Sequence, residues 1–99
     1  MKVILSTLAK YDISQIFDYY FEEAGLKIAR QERSKIVNRI KVLKDFPHIG
    51  RKEENEKVID SDCRYLIQGN YKILYEVEET RIVILTVFNT MQDPSKMKV

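Results

Sequence analysis

The chain has 99 residues, 44% hydrophobic and 32% charged, with 17 Lys and Arg against 15 Asp and Glu for a formal charge of +2. This length suits a single domain over 1–99 that buries a core without disulfides or metal. The single cysteine, Cys63, excludes an internal disulfide framework and fits a reducing cytoplasm, and no segment reads as a signal peptide or a membrane span.

The balance is only mildly basic, with a pI of about 8.6, which permits a nucleic-acid partner without arguing for one. No motif calls for a cofactor or a metal. In chain order, Lys2–Ser6 is a short β-like start, and Ser6 or Thr7 is placed to cap a helix. From about Ala9 the spacing becomes helical. Ile13, Ile16, Phe17 and Tyr20 fall at i, i+3, i+4 and i+7 and make one apolar stripe. Gly25 ends this helix as a C-terminal cap.

A second helix is expected from Leu26 to Phe46, where Pro47 stops it. Ala29, Ile36, Ile40 and Leu43 share its apolar face. At about 100° per residue, Arg30, Arg33, Lys41 and Lys44 fall in one sector beside that face. Two readings stand: a solvated helix face, or a ridge that meets an anionic partner. Residues 47–52 read as a loop, and its His48 is the chain's single histidine, without an evident partner for metal binding or nucleophile activation. Lys57–Ile59 is a short strand candidate.

Three apolar segments complete the chain, separated by turn signals. Arg64–Gln68 ends at Gly69-Asn70. In Tyr71–Val77, the residues Tyr71, Ile73, Tyr75 and Val77 alternate onto one face. Arg81–Phe88 is nearly all apolar and reads as a strand buried on both faces. The linkers are too short for crossover helices, so these strands form an antiparallel meander. The fold class is α+β, an N-terminal strand and a two-helix hairpin packed on an antiparallel sheet. The expected core is Ile16, Phe17, Ile36, Ile40, Ile73, Tyr75, Ile84 and Val87.

Several stretches, in order, resemble the RelE/ParE superfamily of bacterial toxins from type II toxin–antitoxin and plasmid stabilisation modules. They are Ala9, Asp12, Ile13, Ile16 and Tyr19 or Tyr20; then Leu43, Pro47, Gly50 and Arg51; then Arg64, Leu66, Tyr71, Ile73, Tyr75 and Val77; then Val87-Phe88 and Gln92-Asp93-Pro94. The resemblance implies a cytoplasmic toxin held inactive by a cognate antitoxin protein. It implies one of two targets: the ribosome and its messenger RNA, cut by RelE-like members, or DNA gyrase, inhibited by ParE-like members without that catalytic set. Met91 stands where the ribonucleases carry an arginine, Asn89 where many relatives have histidine, and Gln68 near another expected arginine. The cations that remain are Arg51, Arg64, Lys72 and Arg81; Arg51, Arg64 and Arg81 are the catalytic candidates, and each of the four reads equally as a surface or strand-edge charge. The expected function is thus a ParE-like toxin that inhibits by binding. The alternatives are a ribosome-dependent endoribonuclease with a diverged site, or a degenerate member that harms no target. Arg30, Arg33, Lys41 and Lys44 are the expected antitoxin- or target-binding residues.

Overall fold

Ser6 joins the first strand to the first helix and is bonded to both sides of that junction. Its extended backbone (φ −65°, ψ 164°) ends β1 (Lys2–Leu5), and its Oγ accepts the Ala9 N–H at 3.0 Å. The same hydroxyl donates to the Leu85 carbonyl at 2.8 Å, and the Ser6 N–H donates to the Ile84 carbonyl at 3.0 Å. One residue thereby caps α1 (Thr7–Ala24) and locks it to the last strand. These features belong to a computed structural model that describes residues 1–54 and 61–91. The expected strand at Lys57–Ile59 and the Gln92-Asp93-Pro94 motif lie outside the described residues.

Gly25 closes α1 and opens α2 (Leu26–Lys41) in a single residue. Its φ of +88° is left-handed, a conformation that a β-carbon disfavours. Its N–H donates to Phe21 and its carbonyl accepts from Ala29. The helix pair is thus a tight hairpin, as the sequence implies. The second helix stops five residues before the expected end: Val42–Lys44 tightens into a 3-10 turn, and Phe46 lies beyond it, exposed. Tightened last turns satisfy terminal carbonyls that α-geometry leaves open.

The sheet has five strands in the order β1-β5-β4-β3-β2, with β2 at Arg51–Lys52, β3 at Asp62–Gln68, β4 at Tyr71–Val77 and β5 at Arg81–Asn89. The meander β3-β4-β5 is antiparallel, as is the short β2 against β3. The sheet as a whole is mixed, because β1 lies parallel to β5 with Val3 opposite Ile82 and Leu5 opposite Ile84. The helical hairpin between them supplies the crossover that a parallel pair requires. Residues 51–52, read from the sequence as loop, are this edge strand.

Between β4 and β5 the register slips: Tyr75 faces Ile84, but Leu74 faces Thr86. Leu85 is the extra residue of a β-bulge, and Ser6 bonds to it. The core joins Ala9, Ile13 and Ile16 of α1, Ile36 and Ile40 of α2, Leu43, and Leu66, Tyr71, Ile73, Tyr75, Ile82, Ile84 and Val87 of the sheet. Seven of the eight expected core residues are buried. Phe17 is the exception: half-buried, it stacks on Phe21 with Arg33 above it. The expectation of a strand buried on both faces holds only in part. The helices cover one face of β5, and Val83 and Leu85 are half-buried.

Candidate functional site

The three arginines expected at a catalytic site do not converge. Arg64 on β3 is committed to the fold. Its Nε donates to Asp62 at 2.9 Å, and its Nη1 donates to the carbonyls of His48 and Gly50 at 3.2 and 3.0 Å. Its side chain is only 17% exposed. Arg51 sits opposite Tyr65 in register, whereas Arg64 sits opposite Lys52, so the two leave opposite faces of the sheet at its edge, yet both border a cavity of about 460 Å³ together with Lys52, Glu53 and Lys72. Arg81 begins β5, exposed, and pairs with Glu78 three residues earlier.

Strand geometry keeps Arg64 and Arg81 away from position 91. Arg64, Tyr75 and Ile84 lie in one cross-strand row, and Tyr71 and Asn89 lie in another. At about 3.3 Å per residue, the four steps from Tyr75 to Tyr71 separate those rows by about 13 Å. Arg81 lies at the opposite end of β5 from Asn89, farther still. Met91 does not pack beside Phe88; it is 80% exposed, with its N–H on the Asn89 side-chain carbonyl at 2.8 Å. Lys72 pairs with Glu53 at 2.9 Å and lies over the Tyr65 ring, 4.1 Å from its centroid.

His48, which lacks an evident partner in the sequence, has one in the fold. Its Nε2 lies 3.5 Å from an Asp62 carboxylate oxygen, and Lys52 approaches the other oxygen at 3.6 Å. Asp62 thus gathers His48, Lys52 and Arg64. Sequence spacing misses this group because His48 and Asp62 are 14 positions apart, and the antiparallel return of β3 closes that gap. Among the described residues no group of three or more His, Cys, Asp or Glu is placed to hold a metal ion.

The four expected binding residues, Arg30, Arg33 and Lys41 of α2 and Lys44 of the 3-10 turn, divide into two pairs. Arg33 and Lys41 are eight residues apart, about 12 Å along the axis. Arg33 lies over Phe17 of α1, 4.7 Å from the ring centroid. Lys41 and Lys44, with Lys2, rim a cavity of about 360 Å³ floored by Val3, Leu5, Val37 and Ile40. The cavity runs beside β1, the outer strand of the sheet. The 3-10 turn and the strand alongside it convert the C-terminal half of the basic sector into the rim of an apolar groove. The Met1 nitrogen donates to the Lys44 carbonyl at 3.0 Å, and both residues line the groove.

A strand, a two-helix hairpin and an antiparallel meander thus carry a cation-rimmed apolar groove beside β1 in a small α+β fold. A family model described as the ParE toxin of type II toxin-antitoxin system, parDE, matches residues 3–94. The chain belongs to the ParE toxin family of type II toxin–antitoxin systems, and an antitoxin is its partner. Among solved structures, the chain is similar to one described as the chromosomal ParDE TA system from P. aeruginosa. The two are 22% identical, with a TM-score of 0.76 over 90% of this chain and 95% of the other. That likeness carries the fold. No match was found among curated proteins. Among the described residues no helix is long and apolar enough to cross a membrane.

Proposed function

We propose that this toxin inhibits DNA gyrase by binding, performs no RNA cleavage, and is neutralised when its antitoxin occupies the groove beside β1. The carrying observation is the state of Arg64. A guanidinium bonded to a carboxylate and two backbone carbonyls is spent on holding a loop. Cleavage of RNA needs cations poised on the developing phosphorane and a group that takes the 2′-hydroxyl proton. Arg51 and Arg64 border one cavity, but Arg64 is held by the loop, Lys72 in the same cavity is paired with Glu53, and Arg81 stands elsewhere, paired with Glu78, so the three arginines do not make that set.

For the antitoxin, the support is chemical. An apolar floor rimmed by Lys2, Lys41 and Lys44 suits an amphipathic segment with acidic edges. Arg30 and Arg33, farther along α2, extend the positive surface and steer the approach of an acidic partner.

The test is a pair of assays on the purified toxin, each with and without the antitoxin encoded beside it. Loss of gyrase supercoiling, restored by antitoxin, with messenger RNA intact in a reconstituted translation reaction, is the expected result. Codon-positioned cleavage that Arg64→Ala abolishes would overturn the binding-only reading. Inhibition of neither process would indicate a non-toxic member.

A further inference from the structure

The other edge of the sheet is also open. β2 pairs with β3 only at Arg51–Tyr65 and Lys52–Arg64, while β3 continues to Gln68. On this side of β3 the hydrogen-bonding residues alternate. The Cys63 carbonyl accepts from Glu53, Tyr65 faces Arg51, and Ile67 comes next. The chain that would face Ile67 turns away at Ile49 and Gly50, whose N–H groups bond to Phe46 and to Tyr75. Among the described residues nothing bonds to the outward N–H and C=O of Ile67.

A groove of about 510 Å³ runs along this gap, lined by Arg39, Ile49, Gly50, Arg51, Leu66 and Ile67 among others. Ile49 and Ile67 are 50% and 49% exposed. The groove straddles the sheet edge. Arg51, Tyr65 and Ile67 share one face by register and alternation, and Arg39 comes from α2 on the other. Among the described residues no carboxylate lies within ion-pairing distance of Arg39 or Arg51. An added strand sends alternate side chains to the two faces, so its neighbouring residues reach the two arginines from opposite sides.

We infer that this β3 edge is a second docking site, separate from the β1 groove, for an extended acidic peptide segment of a partner protein. One apolar residue of that segment exchanges its backbone N–H and C=O with Ile67 and rests on Ile49. The acidic residue next to it turns to the other face and meets Arg39, and the acidic residue two positions along shares its face and meets Arg51. Main-chain bonds supply the seat, and charge selects the occupant. Unpaired N–H and C=O groups on an exposed edge are where sheets accept an added strand.

The test uses the full chain and a synthetic peptide, acetyl-Glu-Glu-Val-Glu-Glu-amide, monitored by amide NMR. The expected result is a saturable shift of the Ile67 amide with slowed hydrogen exchange. Methylating the valine nitrogen, which removes its N–H, should abolish binding, as should replacing every Glu by Lys. Arg39→Ala and Arg51→Ala should each weaken binding by about two- to fivefold, the size of an exposed charge pair. Their spectra away from the groove report that the fold is intact. Binding insensitive to valine N-methylation, or shifts confined to the β1 groove, would overturn the site. So would protection of Ile67 that rises with toxin concentration without peptide, which would make a second copy the occupant.

Discussion

The Tyr75 hydroxyl accepts the Gly50 N–H at 2.9 Å and donates its own proton to the Pro47 carbonyl at 3.0 Å. A buried strand side chain thereby holds both ends of the Pro47–Gly50 loop. Arg64 grips the same loop through the His48 and Gly50 carbonyls. Burial holds the Tyr75 phenol above its ordinary pKa, although the Gly50 N–H and Arg64 pull the other way. Tyr75→Phe leaves a buried N–H and a part-buried carbonyl without that partner and should cost about 1–3 kcal/mol in urea unfolding.

Gly50→Ala tests the closeness of that contact. A β-carbon there would meet the Tyr75 oxygen at 2.5 Å and the Tyr65 carbonyl at 2.7 Å. Backbone on one side and a pinned ring on the other leave little room to yield. The expected loss is about 1–3 kcal/mol. If the overpacking is against Tyr75, the losses of Gly50→Ala and Tyr75→Phe will be non-additive in a double-mutant cycle.

Asp12 is the polar tie between α1 and the bulged end of β5. One of its carboxylate oxygens accepts the Thr86 hydroxyl at 2.5 Å and the Val87 N–H at 3.0 Å. Asp12→Ala should destabilise by about 1–3 kcal/mol. Thr86→Val, which leaves the Val87 bond in place, should cost less. Equal losses would show that the Val87 bond contributes nothing.

Ile84 is fully buried at the centre of the core. Ile84→Ala should cost about 2–5 kcal/mol. A measured loss below about 0.5 kcal/mol would contradict its place opposite Tyr75.

The Cys63 thiol is buried and pushed up from 9.0 to about 11, first by desolvation and then by the charges of Glu53, Glu76 and Asp62. Its folded pKa lies above its unfolded one, so the native state holds the proton longer. The stability this contributes is complete below pH 9 and is lost as pH rises towards 11. Cys63→Ser should flatten that part of the stability–pH profile. Alkylation of native Cys63 at neutral pH should be far slower than in denaturant.

Met91→Arg places a cation at the position where the resemblance to RelE-like sequences implies one. Because Arg64 is engaged and lies about 13 Å away along the strand axis, this single change should yield no messenger RNA cleavage. Cleavage gained by Met91→Arg alone would show that one cation was all the site lacked.

The sequence by itself determined the local elements. Helical spacing marked the apolar faces of both helices, Gly25 marked their junction, and alternation over Tyr71–Val77 marked the central strand. These signals are legible because each arises from neighbours within a turn or a strand. The tertiary structure decided the rest. The parallel placement of β1, the bulge at Leu85 and the two-residue strand β2 depend on partners far along the chain. The roles of the cations were decided there too. Arg30, Arg33, Lys41 and Lys44 form one sector on a helical projection, but their surroundings differ: an aromatic ring at Arg33, an apolar groove at Lys41 and Lys44. Arg64 reads as a catalytic candidate or a strand-edge charge until the return of the chain sets Asp62 and the loop carbonyls around it. A charge's function depends on what stands within about 4 Å of it, and residues 14 to 16 positions apart in the chain supply that only after folding.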